Sequence, residues 1–219
     1  MNSTLASSRR VLEPSERISE VLFGLIMVLT FTGSLSVAEA GREDVRAMLV
    51  GALGCNLAWG IIDAIFYLMG SLAEKGRSLA IFRAVRTAAD PRQARRLIEE
   101  SLPSVIAAVV QPSEIDAVHQ RLQALPEPPG PARLNGTDWR GASGVFLLVF
   151  LSTFPVAVPF IVMQDALRAM RVSNAVAVAM LFVAGAAYGR VVGRSSWLLG
   201  VAMVALGSVL VAFTIALGG

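Results

Sequence analysis

The chain has 219 residues, of which 55% are hydrophobic and only 16% are charged, and its mean hydropathy is +0.64. Soluble domains carry about 25% charged residues, so this balance indicates an integral membrane protein. The sequence pI is 9.7, but the formal net charge is only +3, which argues against a nucleic-acid-binding protein.

Five apolar runs follow one another along the chain, each long enough to cross a bilayer as a helix of about 20 residues. They are residues 20–38, 47–73, 141–163, 172–192 and 196–217. No alternating strand pattern competes with them in the sequence. We therefore predict an all-α integral membrane protein with five transmembrane helices, which occupy 20–73 and 141–219 and follow a cytosolic lead-in over 1–19.

Residues 74–140 are the only sizeable polar part, and they predict a helical cytosolic insert between spans two and three. Asp90-Pro91 predicts a helix start, because aspartate caps a helix and proline suits its first position. Ser113 and Asp116 have capping-box spacing ahead of a second helix. A Pro- and Gly-rich linker then leads to the third span.

The basic residues give the orientation. With a cytosolic N-terminus, fifteen of the nineteen Lys and Arg lie in inside segments, including all ten between Lys75 and Arg140. The positive-inside rule therefore predicts that the N-terminus is cytosolic and the C-terminus outside.

The first span carries a stripe of chemically useful side chains at helical spacing. Its members are Glu20, Phe23, Met27, Thr30 and Ser34. Steps of three and four residues place them on one helix face. Glu20 lies at the cytosolic boundary, where it is either a solvated interfacial acid or the first ligand of an ion pathway.

The second span carries a matching stripe of polar and small residues. Its members are Asn56, Gly60, Asp63, Tyr67, Gly70 and Glu74. An acid such as Asp63 in the middle of a bilayer costs about 2.5–3.5 kcal/mol, so it normally faces a wet cavity or a neighbouring helix. Asp63 therefore either belongs to an ion or proton pathway or fixes helix packing through a hydrogen bond. Carboxylate, amide and thioether ligands together suit a first-row divalent ion.

The later spans contain helix-breaking and small residues. Pro155 and Pro159 each remove a backbone donor, which predicts either a simple kink or a discontinuous helix in span three. Gly185, Gly189 and Gly193 form a small-xxx-small ridge in span four, which indicates close helix packing within the chain or between two copies.

The single cysteine and single histidine limit the possible chemistry. Cys55 lies in an apolar run and is expected to be an inert thiol. With His119 as the only histidine, the sequence offers no Ser-His-Asp set, no zinc-finger spacing and no H-E-x-x-H motif. We therefore expect no enzyme and no permanently bound cofactor.

Two short motifs resemble the vacuolar iron transporter family: S-E-V-L-F-G-L at Ser19–Leu25 and F-P-V-A-V-P-F at Phe154–Phe160. Five spans with a helical insert between spans two and three are similar to that family as well. The resemblance implies a homodimer that moves Fe²⁺ or Mn²⁺ out of the cytosol in exchange for protons. It places Glu20 at the family's acid before F-G-L, and it implies a metal-collecting role for the insert.

The sequence departs from the family pattern in two places. Ile26-Met27-Val28 replaces the family's N-D-G, so the usual first-span aspartate is absent, and Asp63 falls near the family's second-span methionine. Acid and thioether have thus exchanged helices. Arginines crowd the acids on the predicted helices of the insert, which therefore resemble a solvated face: Glu99, Glu100, Glu114 and Asp116.

The sequence leads to one principal hypothesis and one alternative. The first is a homodimeric transporter in the bacterial inner membrane that exports Fe²⁺ or Mn²⁺. Its metal ligands would be Glu20, which receives the ion at the cytosolic mouth, and Asp63 with Asn56 and Met27, which bind it in the middle of the membrane. The alternative is a non-transporting, membrane-anchored interaction protein whose basic cytosolic helices bind a partner or anionic lipid.

Overall fold

The computed structural model describes residues 14–33, 42–126 and 130–216, and these residues form helices joined by short connections, with no strand among them. The predicted lead-in lies mostly outside the described residues, as does the end of the first predicted span. The helices are α1 (Pro14–Gly33), α2 (Arg42–Thr87), α3 (Pro91–Ser101), α4 (Ser104–Ala107), α5 (Pro112–Ala124), α6 (Gly136–Ser152), α7 (Phe154–Val162), α8 (Ala166–Val191) and α9 (Ser196–Ala216).

Three stretches in the described part of the chain are long and apolar enough to cross a membrane. They are Val45–Thr87 in α2, Gly136–Val162 across α6 and α7, and Arg168–Val191 in α8, with a shorter apolar stretch at Ser196–Val209 in α9. The predicted all-α, multi-pass class is thus confirmed. The count of five spans stays a prediction.

The chain divides into two compact units. The membrane unit contains the described residues up to Tyr67 and from Gly136 onward, and the insert unit is Leu68–Asn135. Helix α2 has 46 residues, more than twice the length that a bilayer requires, and it contributes to both units.

The core of the membrane unit surrounds α1, which contacts α6, α8 and α9. Its buried residues are Leu25, Val28, Leu29, Ala52, Val156, Ala177 and Leu181. The members on α1 recur at steps of three and one, so one face of α1 is covered by its neighbours. This packing fixes the helix that carries Glu20 and Met27.

The glycines of α8 pack within the chain. A Cβ on Gly185 would lie 2.6 Å from the Leu199 carbonyl oxygen, and one on Gly189 would lie 2.8 Å from the Ser196 Cα. Both positions therefore allow α9 to approach closely, as small residues do between membrane helices. Gly193 instead has a φ of +69° in the turn after α8, a conformation that glycine adopts without strain.

The insert unit has its own small core of Val85, Ala94, Ile98 and Ile115. The predicted start of α3 is confirmed, because the Asp90 side chain accepts a 2.8 Å hydrogen bond from the Arg92 amide, and Pro91 opens the helix. The predicted pairing of Ser113 with Asp116 is wrong. Helix α5 begins at Pro112, so its N-cap is Gln111, two residues before the predicted cap, and the Glu114 side chain accepts from the Gln111 amide at 2.8 Å.

Asp116 instead joins α5 to α3. Its two carboxylate oxygens accept from Arg95 Nε at 2.5 Å and from Arg95 Nη2 at 2.6 Å. These hydrogen bonds raise the pKa of the Arg95 guanidinium, which therefore stays charged at physiological pH. Asp116, one of the acids singled out in the insert, thus forms an ion pair with an arginine of the same unit.

Candidate functional site

The polar stripes of α1 and α2 lie beside each other in the membrane unit. The Phe23 and Trp59 rings meet edge to face with centroids 5.5 Å apart. One helical turn away on each helix, Glu20 and Asp63 are close enough for the charge of Asp63 to act on Glu20. From the Phe23–Trp59 pair to the Glu20–Asp63 pair, the residue number falls on α1 and rises on α2. The two helices therefore run antiparallel at this point.

Asp63 has the environment expected of a functional acid in a membrane. Its Oδ2 atom is buried and has no hydrogen-bond partner among the described residues. The half-buried Glu20 on α1 lies within electrostatic range of Asp63 and carries no positive charge that could neutralise it. A buried carboxylate oxygen without a partner loses its hydration without compensation, so a proton or a cation at this position would relieve that cost.

The small and aromatic members of the α2 stripe hold Asp63 against α6. A Cβ on Gly60 would lie 3.0 Å from the Phe146 ring, and a Cβ on Gly141 would collide with the Tyr67 ring. Gly60 and Tyr67 are one turn before and one turn after Asp63 on the same face. The acid is therefore fixed between two close contacts of α2 with α6.

Asn56 contacts a different feature, the break in the third predicted span. Its Nδ2 atom donates a 2.8 Å hydrogen bond to Thr153 Oγ1, and both residues are almost completely buried, with 1% and 0% of their surfaces exposed. The Thr153 hydroxyl donates in turn to the Phe150 carbonyl at 2.5 Å. The amide nitrogen is thus engaged, and its carbonyl oxygen is the atom that can bind a cation.

The break itself separates α6 from α7 at Thr153, which keeps helical dihedral angles of φ −71° and ψ −33°. The third span is therefore interrupted at one residue and is not unwound. The Thr153 amide donates to the Phe150 carbonyl at 3.4 Å instead of to the Val149 carbonyl, as a regular α-helix would require. The Val149 carbonyl accepts a hydrogen bond from the Ser152 hydroxyl at 2.7 Å. Pro155 and Pro159 lack the amide hydrogens that would continue the regular pattern.

A third hydroxyl joins α7 to α8. Ser173 is fully buried and donates a 2.7 Å hydrogen bond to the Val156 carbonyl. Hydroxyls of Ser152, Thr153 and Ser173 thus satisfy carbonyls around the break, as expected where a proline-containing helix crosses a membrane. The sequence analysis missed these three residues, although the run L-S-T-F-P places two hydroxyls directly before the first proline.

The four predicted metal ligands occupy two levels along the paired helices. Glu20 and Asp63 share one level, whereas Met27 and Asn56 each lie seven residues further along, about 10.5 Å at 1.5 Å per residue. Met27 is half-buried. Of the other predicted stripe residues, the Thr30 side chain and Ser34 lie outside what the structure describes. The described residues contain no group of three or more His, Cys, Asp or Glu side chains that could hold a metal ion.

Comparison with known families gives an independent result. A model of the VIT family matches residues 83–219, more than half of the chain. The chain belongs to the VIT family. This confirms the family predicted from the short motifs and makes the protein a member of a family of membrane transporters. No curated protein matches the chain.

The VIT match includes the broken span α6–α7 and the α8–α9 pair, but it begins at residue 83, after α1 and after the part of α2 that carries the candidate ligands. Membership therefore rests on a different part of the chain from Glu20, Met27, Asn56 and Asp63. The geometry of α1 and α2 is a separate observation about this VIT protein.

Proposed function

We propose that this VIT protein exports a divalent transition metal, Fe²⁺ or Mn²⁺, from the cytosol in exchange for protons. Family membership supports metal transport across a membrane. The observation that carries the rest of the proposal is the buried, unpartnered Oδ2 atom of Asp63 beside the facing carboxylate of Glu20.

The two carboxylates would form the first binding level of the pathway. Two acids that face each other in an apolar span repel when both are ionised, and a divalent cation between them removes that repulsion. When the cation leaves, a proton can take its place on either acid. This exchange of a proton for a metal ion at one pair of carboxylates is the physical basis for the proposed coupling.

Met27 and Asn56 would form a second level about 10.5 Å further along the helices. Protein ligands hold a divalent ion at about 2.0–2.6 Å, so one ion cannot contact both levels at once. The ion would pass from carboxylate oxygens to a thioether and an amide oxygen. Neutral ligands bind a divalent ion more weakly than carboxylates do, which suits an ion in transit, because an ion that moves on must not be held too tightly.

The location and assembly are part of the proposal. Fifteen of nineteen Lys and Arg on the inside support a cytosolic N-terminus and an external C-terminus in the bacterial inner membrane. This orientation puts Glu20 nearer the cytosol than Met27, as export requires. We include a homodimer because the family resemblance implies it, and light scattering of the purified protein in detergent would measure the number of chains.

Transport assays in inside-out vesicles would test the proposal. Asp63→Asn removes the charge with little change in shape, and we expect it to abolish most uptake of Fe²⁺ and Mn²⁺; Glu20→Gln should weaken uptake as well. Asp165→Asn is a matched control, because Asp165 is an exposed N-cap of α8 and asparagine caps a helix equally well. Its transport should be unchanged.

Two results would contradict the proposal. If the wild type transports metal and the Asp63→Asn variant transports it at the same rate, Asp63 is not part of the pathway. The absence of transport for any divalent ion in the wild type would favour a non-transporting, membrane-anchored interaction protein, whose basic helical unit binds a partner or anionic lipid. Measuring internal pH in the same vesicles tests the proton exchange separately.

A further inference from the structure

An apolar groove of about 410 Å³ lies on the side of the membrane unit formed by α1, α6 and α8. Its lining includes Arg17 and Val21 of α1, Leu148 of α6, and Ala179, Val183 and Ala187 of α8. The alanines leave space that larger side chains would fill. Val183 is 65% exposed, so the groove opens to the surface of the unit.

Among the described residues, one charged side chain lines this groove, and it lies at one end. Val28 of α1 and Ala177 of α8 belong to one core cluster, while Arg17 and Ala187 both line the groove, so α1 and α8 run antiparallel and the Arg17 end of α1 lies at the Ala187 end of α8. Arg190 follows Ala187 by three residues and is exposed on the same face of α8. The groove therefore has an apolar length and a cationic end.

We propose that this groove binds one anionic phospholipid. An acyl chain would occupy the apolar length, and the headgroup phosphate would contact the guanidinium groups of Arg17 and Arg190. A guanidinium fork matches phosphate oxygens, and both arginines belong to the end that the charge distribution assigns to the anionic cytosolic leaflet. An apolar ligand without a headgroup would leave the cationic end uncompensated, and a zwitterionic lipid carries the same phosphate together with a cation that the two arginines would repel. The proposal does not depend on metal transport.

Native mass spectrometry of the full chain in detergent would test the proposal with two lipids, phosphatidylglycerol and phosphatidylcholine carrying identical acyl chains. We expect one phosphatidylglycerol per chain, bound at least tenfold more tightly than phosphatidylcholine. Arg17→Gln should weaken phosphatidylglycerol binding about fivefold, equivalent to about 1 kcal/mol for one basic residue at an anionic surface, and should weaken phosphatidylcholine binding less. Arg171→Gln, an exposed arginine near the opposite end of α8 that does not line the groove, is the charge control and should have little effect.

A second pair of variants tests the apolar part of the site. Ala179→Phe fills the groove from an exposed position and should abolish tight binding of phosphatidylglycerol. Val178→Phe adds a ring at the neighbouring residue, which is 38% exposed and does not line the groove, so it should bind as the wild type does. Thermal unfolding of both variants would show that they are folded.

Three outcomes would overturn the proposal. Equal affinity of the wild type for the two lipids would show that the groove does not distinguish their headgroups. Equal binding by Ala179→Phe and Val178→Phe would place the lipid elsewhere. A change in the number of associated chains on Ala179→Phe, without a change in lipid binding, would identify a second copy of the chain as the occupant.

Discussion

The hydrogen bond from Asn56 to Thr153 joins the helix that carries Asp63 to the break in the third span, and Thr153→Val tests how much it contributes. Valine has nearly the shape of threonine but lacks the hydroxyl, so the Asn56 Nδ2 atom would lose its acceptor in a site where only 1% of the residue is exposed. An unsatisfied buried donor costs about 1–3 kcal/mol, whereas side-chain hydrogen bonds measured inside membranes average about 0.6 and reach about 1.7 kcal/mol. We expect a loss of about 1–2 kcal/mol.

A double-mutant cycle in lipid bicelles would isolate the pair. Asn56→Leu with Thr153→Val replaces both partners by apolar side chains, so the double variant should be less destabilised than the sum of the single variants, with a coupling of about 0.6–1.7 kcal/mol. Thr153→Ser keeps the hydroxyl and should cost much less than Thr153→Val. Ser143→Ala removes an exposed α6 hydroxyl, which bonds the Trp139 carbonyl at 2.9 Å, and is the matched control.

Additive single effects, within about 0.3–0.5 kcal/mol, would refute the idea that the two residues act together. Transport by the same variants distinguishes two roles of Asn56. If its amide only positions the broken helix, Asn56→Leu and Thr153→Val should lower the maximal rate by similar factors and leave the metal KM unchanged. If its carbonyl oxygen binds the ion, Asn56→Leu alone should raise KM.

Two further predictions concern packing and charge. Gly185→Ala should destabilise the protein by about 1–3 kcal/mol, because the new Cβ would lie 2.6 Å from a backbone oxygen of α9. Gly54→Ala is the control: a Cβ there meets nothing within 4 Å, so this variant should stabilise α2 by about 0.5–1 kcal/mol. Equal effects of the two variants in thermal unfolding would contradict the close contact at Gly185. Arg95→Lys should lower the free energy of unfolding by at most about 1 kcal/mol, since the side chains of Arg95 and Asp116 are 40% and 38% exposed. The difference in stability between variant and wild type should shrink in high salt, and a difference independent of salt would show that packing by Arg95 matters more than its charge.

Local features of the sequence were sufficient to predict the all-α fold class and the positions of many of the helices. Apolar periodicity and the Asp90-Pro91 cap depend on contacts within about one helical turn, so they can be read without knowing which helices are neighbours. The same reasoning failed at Ser113, because the helix already begins at Pro112 and the capping box is formed by Gln111 and Glu114, two residues earlier than predicted. Two overlapping cap patterns in one short run cannot be separated by spacing alone.

The sequence by itself determined that Asp63 is an acid in an apolar span on the same face as Asn56, and that the chain resembles the VIT family. Only the tertiary structure decided the partners: Asp63 lies within electrostatic range of Glu20 and has one oxygen without a partner among the described residues, Asn56 bonds Thr153, and Gly185 contacts α9. The reason is physical. A helical stripe fixes the direction of its side chains, but their partners depend on which helices pack together and in what register, and those choices are set by contacts far apart in the sequence.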